Sequence, residues 1–248
     1  MSAQQALASP PSALLKIPIF AWLFSSIGKK FVVAATGICL VLFAIGHLGG
    51  NLTIFFGPDV INAYAMHLRD LGPFLWVIRL GLLTIVGLHI YFTMLLWAEN
   101  QAARPQKYAV SAPMKTTVFA RTMRLSGLFI LAFVIFHLAH FTMLIVDPSF
   151  AKLHTTLHGH EVHDVYRMVV LGFSNPIVCI FYVIALFLLA NHLSHGISSL
   201  FQTLGISNKR MRPTYELISR VVAWALFVGY SSIPLSILLF GLGKDSLK

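Results

Sequence analysis

Long apolar runs separated by short polar stretches set the organisation of this chain. A membrane-spanning helix needs about 20 mostly apolar residues, and five segments qualify: roughly Phe31 to Phe56, Phe74 to Ala98, Leu125 to Val146, Pro176 to Leu200 and Leu217 to Leu242. Each run is continuous and lacks period-two alternation, so helices rather than strands are expected. The pattern therefore predicts an all-α integral membrane protein: one domain over residues 1–248, built as a bundle of five transmembrane helices. The stretch before Trp22 carries SPP and KIP but no apolar core followed by a small-residue cleavage site. It reads as a cytoplasmic tail, not a cleaved signal peptide. No internal repeat stands out beyond two short histidine tetrads.

Composition agrees with the pattern. The 248 residues are 57% hydrophobic and only 10% charged, where a soluble domain carries about a quarter charged residues. The formal charge of +10 raises the question of nucleic acid, but its distribution has a simpler cause. With the N-terminus inside, the inner face holds Lys16, Lys29, Lys30, Arg104, Lys107, Lys115, Arg121, Arg124, Lys209, Arg210, Arg212 and Arg220. The outer face keeps only Arg69, Arg79, Lys152, Arg167, Lys244 and Lys248. Twelve against six favours a cytoplasmic N-terminus and an outside C-terminus. Most acidic residues (Asp59, Asp70, Asp147, Glu161, Asp164 and Asp245) fall outside, which reinforces this orientation. The basic excess is thus a topology signal, and no nucleic-acid partner is expected. Cys39 and Cys179 both lie in apolar runs and read as packing residues.

Histidine is the chemistry that remains. His47, His89, His137, His140, His192 and His195 lie inside the expected spans, with at least one on each of the first four. A polar group moved into an apolar medium without a partner costs roughly 2–7 kcal/mol, and intramembrane ionisable residues usually mark function. Counting from the polar ends at 1.5 Å per residue, His47 and His137 lie about 15 Å inside the outer boundary, and His89 and His192 about 24 Å inside. Two pairs on alternating helices, one in each leaflet, is the arrangement that two bis-histidine haems require. Either member of the tetrads HLAH and HLSH can point to the same side of its helix; depth favours His137 and His192 as ligands. His140 and His195 are then candidates to meet a propionate or a quinone headgroup.

The same residues resemble a known family. SSIGKKFVVAATGICLVLFAIGHLGGN, INAYAMHLRDLGP, RLSGLFILAFVIFHLAH and FYVIALFLLANHLSHG are similar to the diheme cytochrome b membrane-anchor subunit of succinate dehydrogenases and fumarate reductases, over nearly the whole length. The resemblance implies two haems b on His47, His89, His137 and His192. It also implies partnership with a flavoprotein and an iron-sulfur subunit, menaquinone as substrate, electron transport in the cell inner (cytoplasmic) membrane, and no catalytic residue or dicarboxylate chemistry on this chain. The second histidine of each tetrad departs from the family pattern. For the quinone, Asn62, Tyr64, His67, Arg69 and Asp70 form an outer polar cluster in the loop after the first span; Ser25, Ser26 and Lys29 offer an inner alternative. Lys29, Lys30, Arg121 and Arg212 are expected to serve as a docking rim for the iron-sulfur subunit. The stretch HTTLHGHEVHD, with His154, His158, His160 and His163, lacks a definite metal-ligand spacing and reads as a solvated loop. Two other readings share the histidines: the cytochrome b of a hydrogenase or formate dehydrogenase, and a histidine-lined metal-ion transporter. The last would want acidic residues within the spans.

Overall fold

The computed structural model describes residues 16–103 and 118–247, the side chains of 118–122 excepted. Arg104, Lys107, Lys115, Lys248, the tail before Lys16 and the side chain of Arg121 lie outside the described residues. A short helix α1 (Pro18–Leu23) leads into α2 (Ser26–Leu52). Ser25 caps α2 by accepting from the Gly28 amide at 3.0 Å and donates its own proton to the Trp22 carbonyl at 2.6 Å. A Cβ on Gly28 would run into that same carbonyl, so the α1–α2 corner demands glycine. A 3-10 turn (Thr53–Phe56) ends the span, and Gly57, at φ +101°, starts α3 (Pro58–Asp70). Next come α4 (Pro73–Ala102) and α5 (Val118–His137), the latter prolonged by a π turn over Leu138–Thr142.

Beyond α5 the chain makes a 3-10 turn (Pro148–Lys152) and a hairpin of β1 (His154–Leu157) and β2 (His160–His163). It continues into α6 (Val165–Ser174), α7 (Pro176–Thr203), α8 (Arg212–Phe240) and a last 3-10 turn (Lys244–Leu247). Asp164 and Asn175 cap α6 and α7 by accepting from the Arg167 and Ile177 amides.

Five helical stretches are long and apolar enough to cross a membrane: Ser26–Phe56, Pro73–Ala102, Met123–Thr142, Pro176–Thr203 and Arg212–Phe240. Their outward faces stay apolar, with Leu42, Leu83, Leu128, Ile177 and Val228 all largely exposed. Such a surface is stable only against lipid or another apolar partner, and the protein is a multi-pass, all-α membrane protein. Boundaries differ from the sequence expectation by up to five residues, as where the first span begins at Ser26 rather than Phe31. The third span stops at Thr142 rather than Val146, because the π turn gives way to Leu144 at φ +54°. The fifth begins at Arg212 rather than Leu217, since Pro213 at its first turn is already suited to helix.

The helices pack as a chain of neighbours. α8 lies against α7, α7 against α5, and α2 against α4, α7 and α8. α2 and α5 are not packed along their length among the described residues, and neither are α4 and α7. The densest core sits at one end of the bundle, where α3, α6 and the hairpin cap it around Ile54, Ile61, Phe150, Val170, Phe173 and Ile237. That end is called the far end below; the near end is where α2 begins and α4 finishes. Val170 and Ile237 are fully buried, and withdrawing each from water is worth about 1.5–3 kcal/mol.

Two stretches expected as loops are ordered elements instead. INAYAMHLRD forms α3 because Gly57-Pro58 starts a helix and Ile61, Tyr64 and Leu68 recur at helical spacing. The histidine-rich segment is a hairpin whose turn residues, His158 and Gly159, both have positive φ (50° and 82°), the conformation that matches strand twist. α6 is a ten-residue apolar helix too short to span.

Candidate functional site

The two histidine levels are built by different helices. At the far level, α2 supplies His47 and α5 supplies His137, their ring centroids 5.9 Å apart with planes at 79°. At the near level, α4 supplies His89 and α7 supplies His192, close enough to act on one another electrostatically. Both pairs thus bridge helices whose backbones are not packed together.

Hydroxyls on neighbouring helices orient three of these rings. Thr36 Oγ1 lies 3.1 Å from His89 Nδ1, while its own proton goes to the Val32 carbonyl at 2.7 Å. With the hydroxyl proton on that carbonyl, the histidine is the donor, Nδ1 carrying hydrogen and Nε2 keeping a free lone pair. Ser126 repeats the arrangement, donating to the Met123 carbonyl at 2.9 Å and lying 3.3 Å from His192 Nδ1. Each hydroxyl is followed by a glycine, and a Cβ there would meet the imidazole at ordinary van der Waals distance. A Cβ on Gly37 or on Gly127 would stand 3.6 Å from Cε1 of His89 or His192, respectively. An Nδ1–H held by an oxygen with Nε2 free is how metal-binding histidines are usually set.

The far level differs in its supports. Tyr182, buried on α7, places its hydroxyl 3.3 Å from His137 Nδ1 and 3.2 Å from His140 Nδ1. His47 stacks on Phe43 at 5.3 Å and carries the amide of Asn51 across its ring nitrogens at 3.3 and 3.4 Å. That amide also donates to the His47 carbonyl at 2.7 Å. Tyr230, whose ring centre is 6.1 Å from that of His47, donates to the Ala44 carbonyl at 2.7 Å and ties α8 to α2. Gly46, Gly49 and Gly87, beside His47 and His89, face open space.

The remaining sequence candidates are dispersed. Asn62 is buried and spent on a clamp: it donates to Asp164 at 3.2 Å and accepts from the Tyr166 amide at 3.0 Å. Tyr64 lays its ring over Gly50, one turn from His47. His67, Arg69 and Asp70 are exposed on α3. His140 is only 3% exposed, enclosed by Phe136, Phe141 and Phe150, rather than open to a headgroup. His195 is half-buried within electrostatic reach of His192. Lys29 is buried and ion-paired with Glu99, and Ser25 serves as a helix cap. Lys30 and Arg212 are exposed, Arg212 in an ion pair with Glu216 at 2.8 Å. Cys39 and Cys179 are free thiols.

Three supports escaped the sequence reading: Thr36, Tyr182 and the pair Arg124–Trp97. The Arg124 guanidinium carbon sits 4.4 Å from the centre of the Trp97 ring, whose buried indole N–H has no partner among the described residues. This sets a cation beside an orphaned donor at the near end, between α5 and α4. Among the described residues no group of three or more His, Cys, Asp or Glu side chains converges on a metal position. Compared with protein-family models, with curated proteins and with solved structures, the chain matches none.

Proposed function

We propose that this chain is the membrane-anchor cytochrome b subunit of a succinate:quinone oxidoreductase, holding two haems b, one on His47 and His137 and the other on His89 and His192. The observation that carries the reading is the construction of the two pairs. At the far level the histidines face each other across helices that are not packed together, and at the near level both rings keep Nε2 free. The far pair, its ring centroids 5.9 Å apart, would hold one iron by an imidazole nitrogen from each side. Two imidazoles per level also suit a group that brings its other four ligands with it, whereas a bare metal ion would want a third side chain.

Bound in these positions, the haems supply one-electron carriage through the apolar interior. The protein's residues do the rest. Thr36, Ser126 and Tyr182 fix the histidine rotamers and tautomers, and Arg124 with the Trp97 indole is placed to hold a propionate. The apolar faces of α2, α5 and α7 exclude water. In this reading the near end faces the cytoplasm of the cell inner membrane and the C-terminus lies outside. Lys30 and Arg212 offer charge to the iron-sulfur subunit, which with its flavoprotein partner handles the dicarboxylate. Menaquinone is the substrate, and Tyr64, His67, Arg69 and Asp70 remain the far-end candidates to meet it.

Replacement of single histidines tests this. His47→Ala and His137→Ala each remove one and the same haem; His89→Ala and His192→Ala remove the other, read in reduced-minus-oxidised spectra of the purified complex. Loss of a haem in His140→Ala with both retained in His137→Ala would contradict the assignment.

A further inference from the structure

Among the described residues, Tyr182 is the one hydroxyl that lies between two histidines, 3.3 Å from His137 Nδ1 and 3.2 Å from His140 Nδ1. We infer that Tyr182 and His140 form a hydrogen-bonded tail behind His137 that sets how strongly this imidazole donates to its metal. The inference rests on the haem reading above and concerns the chain's own residues behind the ligand.

The direction of the tail follows from proton counting. A hydroxyl has one proton and cannot donate to both rings. With Nε2 of His137 turned to the metal, its neutral ring keeps hydrogen on Nδ1, so His137 donates to Tyr182 Oη. The Tyr182 proton is then left for His140 Nδ1, and His140 carries its own hydrogen on Nε2. Every bond points away from the ligand. Bonds in such a chain polarise one another, by about 10–30% per bond, so His140 makes Tyr182 a better acceptor for the His137 proton. A ring whose Nδ1–H is drawn outward is a more basic ligand, and a more basic ligand favours the oxidised iron.

Burial keeps this geometry in place. Tyr182 is 4% and His140 3% exposed, and rings of Phe133, Phe136, Phe141 and Phe173 pack around the Tyr182 ring. His140 lies in the π turn, a distortion that recurs at functional positions. The near-level ligands have no such extension, because the Thr36 and Ser126 protons end on backbone carbonyls of their own helices. The tail therefore acts on one level only, and Tyr182 and His140 are positioning residues for it.

Redox titration of the haems in the intact complex tests the inference, with the far component identified as the one missing from His47→Ala. Tyr182→Phe is expected to raise the midpoint potential of that component and leave the other unchanged. His140→Leu raises it by less, His140→Gln, which keeps an acceptor, stays nearer the wild type, and the Tyr182→Phe/His140→Leu double variant equals Tyr182→Phe alone. An unchanged far potential in Tyr182→Phe, or additive effects in the double variant, overturns the inference while leaving the haem reading intact. Should Tyr182→Phe lose the far haem, equal potentials in His140→Leu and His140→Gln overturn it instead. A wild-type complex without haem overturns both.

Discussion

At the scale of single residues, the chemistry depends on which nitrogen of each histidine is left free, and that is decided by side chains on other helices. Thr36→Val and Ser126→Ala each delete the oxygen that holds an Nδ1–H. Loss of such an outer partner typically costs about 10–100-fold in metal affinity. Both variants are therefore expected to release the near haem more readily on detergent washing while retaining the far one; equal retention of both would contradict the role given to the hydroxyls. The four histidines were legible in the sequence because an imidazole in an apolar run stands out. Thr36 was not, because a threonine inside a span satisfies itself on its own helix and looks structurally complete. Ser126 was visible only as part of a motif. The recurring hydroxyl-glycine pairs, Thr36-Gly37 and Ser126-Gly127, were the available signal. Tyr182 gave none, since a tyrosine among phenylalanines reads as packing.

Among the elements, the far-end cap was the part least visible beforehand. α3, the hairpin and α6 are each short, and their polar residues resemble loops until the Gly57-Pro58 start, the His158-Gly159 turn and the apolar run Val165–Ser174 are read together. Asn62 joins two of them. Removing a buried, doubly bonded amide strands its partners at about 1–3 kcal/mol. Asn62→Ala should accordingly lower the thermal unfolding midpoint without altering the haem spectra.

The hairpin carries a pH dependence of its own. Burial, aided by Arg69 and His154, pushes His163 below its ordinary 6.5, against opposing effects of the Leu153 backbone and Asp164. Below pH 6.5 the unfolded strand binds a proton that the folded strand refuses, so stability falls as the pH drops toward the folded value. Amide-exchange protection of β1 and β2, corrected for intrinsic rates, should decline below pH 6.5, and His163→Gln should flatten the decline. Protection independent of pH in the wild type would contradict the burial effect.

For the molecule as a whole, the five long apolar helices were legible because runs of that length stand out from any soluble pattern, and five crossings would separate the two termini. Reporters fused to the N- and C-terminus are expected to lie on opposite sides, the N-terminal one in the cytoplasm; both on one side would contradict the five-span order. The spacing between helices was not legible, because a gap between α2 and α5 leaves no mark on either sequence, yet that spacing is what gives the histidine pairs room. Whether these pairs hold two haems is read most directly from haem extracted from the purified complex as its pyridine adduct and counted per chain, together with low-spin bis-imidazole resonances in the electron paramagnetic spectrum. Two haems b per chain are expected; one or none would show that the histidine pairs do not hold two.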